Sequence, residues 1–258
     1  MNVEQFMKAI GLSERHIATV KAIPRTEAEL HALPHSALLN KAHDGDAPDK
    51  VLALFVRYLA AYSEEAYEKR GVTREEWLDT MRDVAIWSNF LQEERGEIGL
   101  RETHWLSHLI KTEIFRLGRL QFVPRISEEP VFIGKRSFPV GTPYCEVHIP
   151  ADGKLSPTAV DASFARARGL LTPAYFSCDS WLLSPKLNGI LSGGNILAFA
   201  ARFTVMQTDG CDRSAERYIF GTIGNPHEYV AANPFAAKVK EMACRGEFVG
   251  SALGYLLI

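Results

Sequence analysis

Tyr144-Cys145-Glu146-Val147-His148-Ile149-Pro150-Ala151-Asp152-Gly153-Lys154-Leu155-Ser156-Pro157 changes character twice within a short span. The first part alternates as a strand: Cys145, Val147 and Ile149 share one face, and Tyr144, Glu146 and His148 share the other. A short polar loop follows. Ser156 then suits an N-cap and Pro157 the first position of a helix that runs to about Leu171. This order sets two titratable side chains at a strand end, just before a row of backbone N–H groups with no intrahelical partner. A helix N-terminus carries about half a positive charge and attracts anions. The stretch therefore predicts one layer of an α/β domain with a phosphate-sized anion site beside possible proton-transfer groups.

Outward from it the pattern continues. Arg119–Pro124 and Val131–Ile133 are strand candidates upstream, and Thr142–Ile149 is the strand just described. Downstream, Ala174–Leu183 reads as a strand and Pro185–Leu191 as a short helix. Phe203–Thr208 and Arg217–Thr222 flank Asp209-Gly210 and predict a hairpin. Pro234–Arg245 is helical, and Phe248–Ile258 adds a last strand. Residues 118–258 thus follow the order β-β-β-α-β-α-β-β-α-β.

Residues 1–117 read as helical. Val51, Leu54, Phe55, Tyr58, Leu59, Tyr62 and Ala66 recur at helical spacing after Pro48. Gly71 ends that helix, and Thr73 with Glu76 forms a capping box for the next. That helix carries Trp77, Met81, Val84, Trp87 and Leu91 and stops near Gly96–Gly99. Another runs from Glu102 to Leu117, and shorter ones cover 3–9, 13–21 and 26–40. The fold class is α+β: a helical domain, 1–117, then a mixed α/β domain, 118–258. The stripe of Trp77, Trp87 and Trp105 suits a packed bundle. The bundle is also a candidate acceptor pocket or homodimer face.

The chain has 258 residues, 47% hydrophobic, with a net charge of -2, enough to bury a sizeable core. No Lys/Arg run exceeds two residues, which argues against nucleic-acid binding through a basic segment. No apolar stretch has the length of a membrane span or of a signal-peptide core. Four widely spaced cysteines in apolar contexts read as reduced, mostly buried thiols of a cytoplasmic protein.

Three short segments carry a family resemblance: Phe115-Arg116-Leu117-Gly118-Arg119-Leu120-Gln121-Phe122, Val147-His148-Ile149-Pro150 and Ser180-Trp181-Leu182-Leu183-Ser184-Pro185. In this order the chain resembles, over essentially its whole length, the GNAT-like acyltransferases with an N-acyltransferase-type helical N-terminal domain. The resemblance implies an acyl-CoA or acetyl-CoA cosubstrate, no metal, and a small-molecule or peptide amine as acceptor. It implies that the backbone of Val147 and Ile149 pairs with the pantetheine arm. Gly153, Lys154, Leu155 and Ser156 would then hold the pyrophosphate. The wider superfamily has a second glycine in this loop, where this chain has one glycine and Asp152.

Acyl transfer to an amine needs a group to take a proton from the ammonium. Glu146 and His148 are the right types at the strand end; the same residues also suit a salt-bridged carboxylate and a structural histidine. Asp179 stands where the family carries a histidine and is the third catalytic candidate. Cys178 would serve a thiol-dependent enzyme only with a nearby base, and nothing local supplies one. Ser192-Gly193-Gly194-Asn195 reads as a tight turn, or as a cleft loop in which Asn195 orients a carbonyl. His104 and His108 share a helix face without a third ligand. His31 and His35 straddle Pro34, and Cys145 and His148 point to opposite strand faces. The rival to catalysis is a GNAT-like module that binds a ligand or a protein. A slot between strands 144–149 and 174–182 plugged by a side chain such as Trp181 would favour that rival.

Overall fold

The structure, a computed structural model, describes residues 1–24 and 47–258. The helix expected over 26–40, with His31 and His35, lies outside the described residues. The chain divides into two compact units, Met1–Leu117 and Gly118–Ile258.

In the first unit, local punctuation sets the helices. Helix α1 (Val3–Ala9) is closed by a capping box between Asn2 and Gln5. Helix α2 (Glu14–Ala22) is capped by Ser13. Helix α3 (Pro48–Glu68) has its proline at the tolerated first position. Helix α4 (Arg74–Met81) carries the expected Thr73–Glu76 capping box. Helices α5 (Asp83–Arg95) and α6 (Thr103–Ile110) follow. Helix α3 touches each of the other described helices of this unit and buries Leu52, Phe55, Val56 and Leu59 completely. Trp77 packs on Phe6 at 5.6 Å, and its indole N–H donates to Ser63 Oγ at 2.9 Å. The ring therefore keeps its polar edge satisfied while it fills the core. Trp87 and Trp105 are only half-buried.

Two helices of this unit end before their expected limits. The helix carrying Trp77 through Leu91 is broken at Arg82, whose N–H bonds to both Leu78 and Asp79 carbonyls. The helix expected to reach Leu117 stops at Ile110. Thr112 takes a left-handed φ of 57°, and the Glu113 N–H reaches back to the His108 carbonyl. Phe115–Leu117 is then extended as β1, fully buried, with Arg116 N–H donating to Thr80 Oγ1 at 2.9 Å. The apolar spacing of Ile114 and Leu117 fits either geometry, and packing decides it.

The second unit is a twisted sheet with helices. Its strands are β2 (Leu120–Ile126), β3 (Val131–Ile133), β4 (Arg136–Phe138), β5 (Pro143–His148), β6 (Tyr175–Ser180), β7 (Thr204–Asp209) and β8 (Ser251–Leu257). Within this unit the main sheet runs β2-β5-β6-β8-β7, and β3 and β4 form a separate hairpin. That hairpin was not anticipated. Ile133 faces Arg136 across a two-residue turn, and Gly134 supplies its positive φ of 60°.

Helix α7 (Pro157–Leu171) matches the expected span. Its Phe164 sits 4.9 Å from Phe176 and 5.9 Å from Phe122 on one face of the sheet. This buried cluster joins β2, β6 and α7. Helices α8 (Leu187–Ile190), α9 (Asn195–Ala200), α10 (Ser214–Phe220) and α11 (Pro234–Cys244) complete the unit.

The hairpin at Asp209-Gly210 does not form. Arg217–Phe220 belongs to α10, and β7 pairs with β8 instead. Glu216, nearly completely buried, accepts from Arg213 and from the Tyr229 hydroxyl, and these bonds hold that segment helical. Strand β6 is shorter than expected, because Trp181–Leu183 turns into a 3₁₀ helix after Ser180. Cys145 and Cys178 are buried, but Cys211 is exposed and Cys244 half-exposed, so half of the expected buried thiols are not. Cys211 lies in the turn after β7, where Asp209 Oδ1 accepts its N–H. Among the described residues no helix is long and apolar enough to cross a membrane.

Candidate active site

The alternation of β5 places Tyr144, Glu146 and His148 on the sheet face opposite α7. There they line a cleft of about 680 Å³ together with Ser177 and Asp179 of β6. The two strands are parallel but pair only at Cys145↔Phe176 and Glu146↔Ser177. Beyond that point they part. Neither strand is frayed. On its outer side β5 stays paired with β2 as far as Gln121↔His148, and β6 with β8 as far as Ser180↔Ala252. The opening is therefore built into the sheet, and the backbone of Val147–Ile149 has no ladder partner in β6. Trp181 does not fill it. The 3₁₀ turn takes that ring away to stack on Phe235 at 6.4 Å, against the Leu187 cluster.

Glu146 is held by two basic side chains on its own face. Arg125 Nε donates to its Oε2 at 3.0 Å, and His148 Nε2 lies 3.8 Å from the same oxygen. Burial pushes the carboxyl pKa up, but the His148 and Arg125 contacts outweigh it and the result is lowered. Glu146 therefore stays ionised beside the imidazole. Cys145, on the opposite face, is pushed up to about 12 by burial and by Glu146. Burial raises Cys178 further, with Asp179 adding to it, so neither thiol is a nucleophile at neutral pH. Asp179 is exposed on the cleft wall.

The loop Ala151–Ser156 is organised by a residue that received no role from the sequence. The Arg119 guanidinium donates to the carbonyls of Pro150 (2.7 Å), Gly153 (2.6 Å) and Lys154 (3.0 Å). It gathers the carbonyls on one side and sets a fixed positive charge at the loop. Arg119 is itself fixed by its backbone, whose N–H donates at 2.8 Å to the buried Ser163 hydroxyl of α7. Ser156 occupies the N-cap of α7, but its side chain accepts no N–H, and the first turn carries no acidic residue. The expected side-chain cap is absent, so the first amides of α7 remain available to an anion. Leu155 is buried and anchors the loop, while Gly153 and Lys154 are exposed. Val147 also borders the cleft; Ile149 continues the β5 backbone beyond His148.

Gln121 was also missed. It faces His148 in register on β2 and is 2% exposed. Among the described residues nothing accepts from its Nε2. A polar residue inside an otherwise apolar strand was the available signal. Several candidates fall elsewhere. Asn195 begins α9 at an exposed position outside the cleft, so the glycine loop joins two helices. His104 is exposed, and His108 Nδ1 pairs with Glu113 at 2.9 Å. Among the described residues no three His, Cys, Asp or Glu side chains cluster as metal ligands.

Residues 1–112 match the family model described as the N-acyltransferase N-terminal domain, and residues 114–256 match the GNAT-like C-terminal domain. None of the curated proteins matches the chain. Among solved structures, an acyltransferase in complex with decanoyl-CoA and teicoplanin shares 19% identity at a TM-score of 0.81. The match covers 99% of this chain and 87% of that one. An acyltransferase in complex with CoA and 10C-teicoplanin matches with the same identity, coverage and TM-score. An acyltransferase with decanoyl-CoA is 18% identical at a TM-score of 0.80, with the same coverage. At that identity the likeness is one of fold.

Proposed function

We propose, from the premise that this chain belongs to the family joining an N-acyltransferase N-terminal domain to a GNAT-like C-terminal domain, that it is an acyl-CoA-dependent N-acyltransferase. The observation that carries this reading is the parting of β5 from β6 beyond Glu146↔Ser177. Unpaired strand backbone at Val147–Ile149 offers amide partners to the pantetheine arm. The phosphates would lie at Gly153–Ser156, beside Lys154, the Arg119 charge and the uncapped start of α7. The similar acyltransferases solved with decanoyl-CoA make that thioester the first cosubstrate to test.

In the reaction an acceptor ammonium loses a proton to the Glu146–His148 pair. The amine attacks the thioester carbonyl, the C–N bond forms, the C–S bond breaks, and CoA leaves as the thiolate, which takes up a proton. Proton transfer by a positioned side chain contributes typically about 10²–10⁴-fold. Glu146 holds the charged imidazole at 3.8 Å, and Asp179 across the opening can hold the incoming ammonium.

Isothermal titration with acetyl-CoA and decanoyl-CoA tests the cosubstrate. Absence of binding up to about 1 mM, a weak limit near 4 kcal/mol, would sink the reading. Glu146→Gln and His148→Ala should each slow amide formation by about 10²-fold or more. Full activity in both would remove the base assignment. The single glycine in the loop favours one rival, binding of the ligand without transfer. Tight CoA binding with no amide product from any amine would support it.

A further inference from the structure

The cleft divides its charges in a way that bears on the acceptor. Glu128, Glu129, Glu146 and Asp179 line it, and no lysine or arginine does among the described residues. Arg125 neutralises Glu146, which leaves three carboxylates facing the space. An anionic phosphate meets an excess of carboxylates there, with His148 the one basic side chain in the lining among the described residues, whereas Lys154 and Arg119 stand at the α7 loop. The two ends of the site thus ask for opposite charges.

The far end of the cleft is aromatic. Tyr144 stacks on Tyr175 at 5.1 Å with 6° between the planes, and Tyr255 meets Tyr175 edge-on at 5.5 Å. Burial raises the phenol pKa of all three, so these rings stay neutral. Tyr175 is buried beneath the other two, and the half-buried Tyr144 and Tyr255 are the rings that meet the space. Carboxylates with tyrosine faces are the two groups that attract an organic ammonium.

The third wall comes from an irregularity in β7. Val205 pairs with Gly254 and Gln207 with Leu253, so Met206 is an extra residue in the register. In a regular strand two consecutive side chains face opposite ways; here Met206 and Gln207 both line the cleft. The bulge adds a flexible apolar surface beside a single neutral amide. That surface suits the body of a ligand and brings no positive charge to offset a carboxylate.

We infer that this cleft binds the acceptor as an organic cation: an amine on an apolar or aromatic body with no carboxylate beside it. The inference rests on the acyl-transfer reading for its purpose, but the charge selection stands on the cleft itself. An amino acid zwitterion, with a carboxylate next to its ammonium, is rejected by Glu128, Glu129 and Asp179.

The test is isothermal titration of the full chain with tyramine and with tyrosine, which differ by that carboxylate. Tyramine should bind about tenfold or more tighter, and the gap should narrow in high salt. The double variant Glu128→Gln/Glu129→Gln, at two exposed positions, should weaken tyramine several-fold and leave CoA binding unchanged. Met206→Ala should weaken tyramine without restoring tyrosine. Equal binding of tyrosine, or no tyramine binding while CoA binds, overturns the inference and leaves the acyl-transfer reading intact. Selective tyramine binding without CoA binding has the reverse meaning.

Discussion

Glu146 keeps its charge against a burial that opposes it, and the sign of that balance gives a pH signature. Its folded pKa lies below the ordinary value because His148 and Arg125 overcome desolvation. The stabilisation it provides is therefore complete above the unfolded carboxyl pKa, about 4.3, and is lost as pH falls through the lower folded value. Urea midpoints of the wild type and of Glu146→Gln should differ at pH 7 and converge only as pH falls below the lowered folded value. A gap that persists into acid would mean that the substitution acts through packing, not through the lost charge. The thiols make a second residue-level prediction. Cys145 is pushed up to about 12 and Cys178 is completely buried, whereas Cys211 is exposed. Iodoacetamide at neutral pH should label Cys211 and spare Cys145 and Cys178, while all four cysteines react in urea. Mass mapping that finds Cys178 modified in the folded protein would revive the thiol-dependent reading.

Ser163 ties two elements together through one hydroxyl. Its oxygen accepts the N–H of Arg119 and of Leu120 and donates to the Ala159 carbonyl, at a position 1% exposed. Ser163→Ala would leave two N–H groups at the start of β2 without partners. It should cost about 1–3 kcal/mol of unfolding free energy and weaken CoA binding, because Arg119 shapes the loop. An unchanged urea midpoint would show that the hydroxyl is replaceable. Gly99 is the counterpart in the first unit. With φ at +146°, a Cβ there would lie 2.1 Å from the Pro48 carbonyl carbon, so Gly99→Ala should destabilise by more than about 3 kcal/mol. The elements that could be read from the sequence were those with local punctuation. The Ser156-Pro157 start gave α7 its span, Thr73 with Glu76 started α4, and the alternation of β5 placed Glu146 and His148 on one face. The elements misread were those settled at a distance. Arg217–Phe220 is helical because buried Glu216 finds Arg213 and Tyr229, and nothing in its apolar spacing says so. Arg119 was invisible for the same reason: its partners are carbonyls, which carry no side-chain signature.

At the scale of the whole molecule the chain holds two cores. One centres on α3 with Phe6, Phe55 and Trp77, the other on Phe122, Phe164 and Phe176 under the sheet. Each core buries large aromatic side chains, worth roughly 1.5–3 kcal/mol apiece against exposure. We read the two units, 1–117 and 118–258, as two domains, and the consequence concerns how a ligand distributes its stabilisation. A cosubstrate that binds at Val147–Ser156 stabilises only the states in which that part of the chain is folded. At a hundred times its Kd it adds about 2.7 kcal/mol to the unit that must be folded to bind it. Native-state hydrogen exchange with decanoyl-CoA should therefore slow the most protected amides of β5, β6 and α7 by about a hundredfold, while those of α3 keep their rates. If the α3 amides slow equally, the chain opens as one cooperative body and the two-domain reading fails. If the amides of the second unit do not slow at all, the cosubstrate does not bind there, whatever the fold resembles.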